Sequence, residues 1–191
     1  MSETTVETLG PEALLAWCAA HGVPVRLLRP GVPTPTVPEA AAAVGVAPER
    51  VLKSLVLWVD GVPTLVIAAG EDRLVYPRLA GAFGVSRRRV RLASADEALE
   101  LTGFPVGAMP PFGHRRPLPT WVDAARVRPG LRVVAGGGAR DALLDLTTDD
   151  LLRATDARSA RLTDADPDVG GDDAVAATAR TAASDPSGSP A

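Results

Sequence analysis

The sequence predicts an α+β domain: a single mixed, mostly antiparallel sheet that forms a barrel-like core with helices at its flanks. Three observations predict this class. Two apolar, β-rich runs surround Asp60-Gly61, a strong local signal for a hairpin. Helical and strand patterns do not alternate as they do in a doubly wound sheet. The 191 residues are 46% hydrophobic, which is enough for one substantial core.

In the first half of the chain, prolines and glycines mark where the predicted elements begin and end. Pro11 lies near the start of an amphipathic helix and Gly22 ends it, and Gly45 and Gly84 end two shorter helices in the same way. The Asp60-Gly61 dipeptide joins the two hairpin strands. The predicted elements are a helix over 10–22, a strand over 25–28, a helix over 38–45, strands over 54–59 and 62–69, and a helix over 76–83.

The second half is marked by helix caps. Ser94-Ala-Asp-Glu97 has the spacing of a capping box and opens a helix that reaches Thr102. Thr147 caps a helix that runs to Arg153. Short strands are predicted over 89–92, 120–123, 131–135 and 143–146, which brings the expected number to between five and seven.

Composition divides the chain into three parts. Residues 1–10 are expected to be a flexible N-terminus, 11–163 the folded domain, and 164–191 a disordered acidic tail of Ala, Asp, Gly, Pro and Ser. The first residues are acidic and polar, unlike a secretory signal, and the one cysteine, Cys18, cannot form an internal disulfide. We therefore expect a cytoplasmic protein with a buried, structural thiol.

The loop from Gly103 to His114 combines three glycines and three prolines with apolar residues. Proline fixes φ and removes donors, while glycine allows positive φ and close approach by another group. Such a loop is stiff and exposes backbone N–H groups that can face a carbonyl oxygen or a phosphate. A proline-rich surface turn is the alternative interpretation.

Lys53 is the one lysine in a chain with 19 arginines, and it stands at the start of an apolar run that reads as a buried strand. Charged groups are rarely buried without a partner, so a lysine that enters a core strand is a candidate site residue. The alternative is a surface lysine at a strand end.

Arginines cluster at 87–89 and at 115–116, although the net charge is −3. These clusters suit a phosphate-bearing partner, and a solvated face would explain them equally well. With two histidines and one cysteine, the chain is poorly supplied for an ordinary zinc site or for a Ser/His/Asp or Cys/His mechanism. We expect no metal and no cofactor.

Several segments together resemble the YbaK/EbsC family of aminoacyl-tRNA editing domains, which is related to the insertion domain of bacterial prolyl-tRNA synthetase. The likeness spans about residues 11–160 and implies the fold of that family. The segments are Val51-Leu-Lys-Ser-Leu-Val56, the Asp60-Gly61 hairpin, Thr102 to His114, Val122-Asp123, Ala135-Gly136 and Leu146-Thr-Thr-Asp-Asp-Leu151.

The resemblance implies a role for each matching residue. Lys53 matches the site lysine that engages the 3′-terminal adenosine and its phosphate, and the loop amides are expected to hold the ester carbonyl. The implied catalytic positions are Lys53, Gly107, Ala108, Met109 and Pro110. The implied substrate contacts are Pro111, Phe112, Gly113, His114, Asp123 and Gly136. The expected tRNA contacts are Arg115, Arg116, Arg87 and Arg88.

The function that follows is a free-standing aminoacyl-tRNA deacylase that hydrolyses mischarged tRNA in trans, with the 3′ acceptor end and an aminoacyl-tRNA synthetase as expected partners. Backbone carbonyls or the ribose hydroxyl of the substrate would activate water, as proposed for the family. His114 is the one plausible side-chain base near the loop, and the alternatives for it are loop packing and substrate contact. Two alternatives stay open: a non-catalytic module that binds an aminoacyl or nucleotide group, and a deacylase of another small ester.

Overall fold

The computed structural model describes residues 7–166, and this part of the chain contains five α-helices and eight strands. The helices are α1 Pro11–Ala20, α2 Val37–Val44, α3 Tyr76–Phe83, α4 Ala95–Thr102 and α5 Thr148–Thr155. The strands are β1 Arg26–Leu28, β2 Leu52–Val59, β3 Val62–Ala69, β4 Val90–Leu92, β5 Thr120–Asp123, β6 Arg132–Gly136, β7 Leu143–Thr147 and β8 Arg158–Ala160.

The strands form two sheets, with the orders β1-β7-β6 and β4-β2-β3-β5-β8. The pairs β3–β5 and β5–β8 are parallel and the other pairs are antiparallel. A bridge between Val51 and Val134 links the two sheets. The predicted α+β class is confirmed, but the single sheet is corrected to two, and the strands within residues 7–166 do not close a barrel.

The Gly/Pro loop packs against the end of β6. A Cβ on Gly136 at the end of β6 would lie 2.4 Å from the carbonyl oxygen of Met109. The loop backbone therefore packs directly onto β6 at Gly136, and the candidate site lies between this loop and the start of β2.

One large core fills the space between the sheets and the helices on them. Its fully buried side chains include Leu14 of α1, Ile67 of β3, Phe104 after α4 and Leu144 of β7. Cys18 lies in the same core, and burial raises the pKa of its thiol to about 11. The thiol is therefore protonated and structural, as the sequence predicted.

Most local predictions are confirmed. The β2–β3 hairpin turns at Asp60-Gly61, and both hydrogen bonds of the capping box between Ser94 and Glu97 are present. The turn expected between Ala47 and Val51 is a short 3-10 helix at Pro48–Arg50. The sequence analysis missed β8, which pairs in parallel with β5, and the 3-10 turn at Arg87–Arg89.

The chain ends are described only in part. Residues 1–6 of the predicted N-terminus and 167–191 of the predicted tail lie outside the described residues. Of the described residues near the chain ends, Leu9 donates its amide to the carbonyl oxygen of Gly103, and Ala165 is buried beside Thr163. None of the helices in residues 7–166 has the length and hydropathy needed to cross a membrane.

Candidate active site

A cavity of about 270 Å³ opens between the two sheets at the Lys53 end of the hairpin. Residues 51–55 at the start of β2 form one wall, and the segment 34–40 that leads into α2 forms another. The loop contributes Val106, Gly107 and Met109, and Gly136 and Leu143 complete the lining. Four of the predicted site residues, Lys53, Gly107, Met109 and Gly136, therefore line one cavity.

Lys53 is half-buried on β2, where its backbone pairs opposite Ala68. Its ammonium donates a hydrogen bond to the backbone carbonyl oxygen of Asp72. Burial lowers the pKa of Lys53 from its ordinary value, while the carboxylates of Asp72, Asp164 and Glu71 oppose this shift. The site thus contains a partly desolvated cation, whose field is stronger than it would be in water.

The loop at Gly107 and Met109 is fixed by backbone contacts. Gly107 has a φ of +84°, and a Cβ there would lie 3.1 Å from the carbonyl oxygen of Pro35. The carbonyl oxygen of Ala108 accepts a hydrogen bond of 2.9 Å from the amide of Gly138. Gly136 admits the loop because it has no side chain. The predicted close approach at this loop is therefore a packing requirement of the fold.

Several amides of the loop have no acceptor within the described part of the chain. The amide of Ala108 donates to the carbonyl oxygen of Pro105 at 3.1 Å and closes a turn. Among residues 7–166, we find no hydrogen-bond acceptor for the N–H groups of Gly107 or Met109, and both residues line the cavity. Fixed donors on a cavity that Lys53 also lines favour an anion or a polarised carbonyl oxygen.

The remaining loop residues lie behind this surface. Ala108, Pro110, Pro111 and Phe112 are buried and do not line the cavity, and the ring of Phe112 stacks on Trp17 of α1 with centroids 5.2 Å apart. Gly113 packs against the same helix, since a Cβ there would lie 2.9 Å from Leu14 Cδ1. The second half of the loop therefore anchors the first half to α1.

His114 also lies outside the cavity lining. Its Nε2 lies 2.9 Å from the carbonyl oxygen of Pro110, so the neutral ring donates from that nitrogen. Burial lowers the pKa of His114 to about 4. The imidazole is neutral near pH 7, and its observed contact supports the loop from behind.

Asp123 is placed away from the cavity. It is completely buried, and its carboxylate accepts from the amide of Leu162 at 2.7 Å and from the hydroxyl of Thr163 at 2.9 Å. These bonds join the end of β5 to the segment after β8. The position expected to contact substrate is used within the fold.

The predicted tRNA-binding arginines lie on two other surfaces. Arg115 and Arg116 are exposed after the loop, and the guanidinium of Arg115 donates to the carbonyl oxygens of Glu7 and Glu100. Arg87 stacks over Tyr76 with 4.1 Å between Cζ and the ring centroid, and Arg88 follows it ahead of β4. Since β4 pairs with the far end of β2, Arg88 lies roughly 20 Å from Lys53, at about 3.3 Å per residue along the strand.

The segment 34–40 was not predicted as part of the site. The carbonyl oxygen of Arg140 accepts from the amide of Thr34 at 2.6 Å and from its hydroxyl at 3.1 Å. Thr36 and Glu39 form a capping box at the start of α2. The Thr36-Val-Pro-Glu39 spacing could have located the cap from sequence. Its position over the cavity depends on tertiary contacts.

The lining residues are apolar or carry hydroxyl groups, apart from Lys53. Within the described chain, the cavity walls contain no carboxylate, imidazole or thiol. No group of three or more His, Cys, Asp or Glu in residues 7–166 is arranged to hold a metal ion. The chemistry of these walls is therefore that of a cation, backbone amides and hydroxyl groups.

The model of the family described as "Aminoacyl-tRNA editing domain" matches residues 32–154. The chain belongs to this family, which confirms the resemblance seen in the sequence.

The relatives include free-standing and synthetase-borne sequences. The uncharacterized protein YwhH of Bacillus subtilis is 31% identical over 117 residues, which are 61% of this chain and 72% of YwhH. A proline–tRNA ligase of Pediococcus pentosaceus is 34% identical over 82 residues, 43% of this chain but 14% of the ligase. A solved structure of a protein proposed to be a trans-editing enzyme for prolyl tRNA synthetase superposes with a TM-score of 0.69 and 32% identity, covering 83% of this chain and all of the other.

Proposed function

We propose that the protein is a free-standing aminoacyl-tRNA deacylase of the cytoplasm, which hydrolyses in trans the ester of a mischarged tRNA. One observation carries this proposal. Lys53 lines the same cavity as Gly107 and Met109, whose amides have no acceptor among residues 7–166. The family membership and the likeness to a domain of proline–tRNA ligase support aminoacyl-tRNA as the substrate.

In this proposal the two amides bind the ester carbonyl oxygen. Attack on the carbonyl carbon makes that oxygen negative, and donors already fixed in place stabilise the charge without reorganisation. One such donor typically contributes a factor of about 10² to 10³ in rate. Lys53 binds the 3′-terminal adenosine and its phosphate at the cavity wall.

The nucleophile is a water molecule. It adds to the carbonyl carbon, the bond to the ribose oxygen breaks, and the proton from water passes to that oxygen, so that the products are the free amino acid and tRNA with its terminal hydroxyl restored. Since no lining side chain in the described region is a carboxylate or imidazole, a backbone carbonyl or the adjacent ribose hydroxyl orients the water.

The cavity favours a small aminoacyl group. Its volume of about 270 Å³ lies just below the range of roughly 300 to 1,000 Å³ typical of small-molecule sites. Ala40, Val51, Leu143 and Met109 give its walls an apolar character. A small, weakly polar amino acid fits these walls, and the rest of the tRNA lies outside.

The outer arginines are proposed to contact the tRNA backbone. Arg115 and Arg116 follow the loop, and Arg87 and Arg88 lie on a more distant surface. A substrate with its 3′ end in the cavity extends over many ångströms of protein surface, where phosphate contacts add affinity without base specificity.

The test is deacylation of a panel of mischarged tRNAs, chiefly Ala-tRNA(Pro) with Ser-, Cys- and Thr-charged species, by the intact protein and by Lys53→Ala. We expect release of one small amino acid by the intact protein and loss of that release in the variant. If no species is hydrolysed while tRNA is still bound, the deacylase proposal fails and a non-catalytic binding module is the function. Hydrolysis of small esters without the tRNA body would instead identify a general esterase.

A further inference from the structure

We propose that the ion pair between Asp72 and Arg126 positions Lys53 for the reaction. This role rests on the proposed function of the cavity, because it assigns to the pair an effect on the residue that contacts the substrate. Neither Asp72 nor Arg126 lines the cavity itself. Both are positioning residues, which act through the backbone of Asp72.

A continuous chain of contacts joins the two residues to Lys53. The Nε of Arg126 donates to Oδ2 of Asp72 at 3.0 Å, and the carbonyl oxygen of Asp72 accepts from the ammonium of Lys53. The side chains of Arg126 and Asp72 are 10% and 16% exposed. Water screens such a pair weakly, so its geometry is held more firmly than that of a surface salt bridge.

The loop that carries Asp72 is anchored on both sides. The amide of Gly70 donates to the carbonyl oxygen of Val51 at 2.9 Å. Arg73 and Asp164 bond twice, from the Arg73 amide to Asp164 Oδ1 at 2.7 Å and from the Asp164 amide to the Arg73 carbonyl oxygen at 3.0 Å. The bond from Arg126 holds Asp72 between these anchors, and the carbonyl oxygen of Asp72 is the acceptor for Lys53.

The Asp72 carboxylate of this ion pair also affects the pKa of Lys53. Three carboxylates act on its ammonium, and Asp72 is the strongest of them, ahead of Asp164 and Glu71. Burial works in the opposite direction and favours the neutral amine. Removal of the Asp72 charge should therefore lower the pKa of Lys53 further, so that the ammonium form is lost at a lower pH.

The experiment uses the fact that Lys53 is the only lysine of the chain. Protein labelled with ¹³C-lysine gives one ε-carbon signal, whose chemical shift is followed against pH without any substrate. The variants are Asp72→Asn and Arg126→Gln. Asp145→Asn is the matched control, since Asp145 is another largely buried carboxylate held by arginines, Arg26 and Arg132, and is not among the charges that act on Lys53.

We expect the titration of Lys53 to move to lower pH in Asp72→Asn and to stay unchanged in Asp145→Asn. For tRNA deacylation, kcat/KM should fall by about 10- to 100-fold in both Asp72→Asn and Arg126→Gln, as for a misplaced catalytic group. The alkaline limb of the Asp72→Asn profile should move to lower pH with Lys53. The double variant should lose no more than either single variant, because the two residues act as one unit.

An unchanged Lys53 titration in folded Asp72→Asn would overturn the proposal, and so would additive losses in the double variant. If Asp72→Asn fails to fold, the Arg126→Gln and Arg126→Lys proteins decide. In this case Arg126→Lys should recover part of the activity lost in Arg126→Gln, and equal losses in the two would count against positioning. Because the titration needs no substrate, it tests the pair even if the intact protein hydrolyses no tRNA, an outcome that would reject only the proposed function.

Discussion

The two ends of strand β2 carry positive charge in contrasting settings. At the hairpin end, Arg89 pairs with Asp60 and Arg91 with Glu97, and these arginine side chains are 61% and 58% exposed. At the other end, Lys53 is half-buried beside a cavity and donates to a backbone carbonyl. Exposed ion pairs of the first kind typically contribute about 0 to 1 kcal/mol and are screened by salt. The partly desolvated ammonium keeps a field that can act on a bound substrate.

The comparison teaches that burial distinguishes the site cation on β2 from the surface cations on the neighbouring β4 segment. The arginine end has more charge, yet its carboxylate partners neutralise it at the surface. The lysine end has one charge, carried by a half-buried residue that lines a cavity together with Gly107 and Met109. The predictions below test this difference.

The largest effect is expected for Lys53→Arg. A guanidinium keeps the charge but is larger and planar, and it cannot replace a compact ammonium bonded to one carbonyl. We expect kcat/KM for deacylation to fall by at least about 100-fold. Steady-state kinetics measures this with the mischarged tRNA that the intact protein deacylates in the panel. Arg91→Gln at the opposite end of β2 is the control. Full activity in Lys53→Arg would show that charge alone is sufficient.

The next effect concerns the cavity wall. A Cβ at Gly136 would lie 2.4 Å from the Met109 carbonyl oxygen, so Gly136→Ala must push the loop away from β6. We expect a loss of about 1 to 3 kcal/mol in the free energy of unfolding and a loss of deacylation.

The matched control for Gly136→Ala is Gly81→Ala in α3, where a Cβ meets nothing within 4 Å. This change should leave activity unaltered and stabilise the protein by about 0.5 to 1 kcal/mol, because alanine favours a helix more than glycine does. Urea unfolding of both variants measures the difference. Equal stabilities would contradict the close approach at Gly136.

A smaller effect is expected from His114, which supports the loop outside the cavity. Its folded pKa of about 4 lies below its ordinary value of 6.5, so the unfolded chain binds a proton first as the pH falls. The associated stability is present above about pH 6.5 and is lost as the pH drops toward 4. His114→Gln should remove this part of the pH dependence, which thermal unfolding between pH 4 and 7 would detect. An unchanged profile would contradict the burial of the ring.

The smallest effect is expected at the arginine end. If Arg88 contacts a tRNA phosphate, Arg88→Gln should raise KM a few-fold, leave kcat unchanged, and reduce the salt slope of binding by about one. Binding of tRNA measured at several salt concentrations tests this. An unaltered salt slope would show that Arg88 is an ordinary solvated residue without a phosphate contact.

Local signals made much of the fold predictable. The Asp60-Gly61 hairpin and the Ser94–Glu97 capping box depend on a few neighbouring residues, and both are present as predicted. Strand β8 is only three residues long and pairs with β5, which is distant in sequence. The packing of the loop onto Gly136 joins two segments that are distant in sequence. Neither feature has a local signature.

The candidate site was also predictable in part. The lone lysine and the Gly/Pro loop pointed to residues that the structure places around one cavity. Asp72 and Arg126 gave no sequence signal, since one charged residue in a loop resembles any other until its partner is known. Asp123 was attributed to substrate binding, and its placement shows a buried carboxylate that joins two backbone segments.

The central claim is that the Lys53 end performs hydrolysis while the arginine end supplies affinity. The most direct measurement compares single-turnover deacylation with tRNA affinity in Lys53→Ala and Arg88→Gln. We expect a crossed pattern, in which Lys53→Ala loses at least about 100-fold in rate with affinity changed only a few-fold, and Arg88→Gln keeps its rate at saturation but binds more weakly. A Lys53→Ala protein that hydrolyses the ester at the rate of the intact protein would contradict the claim.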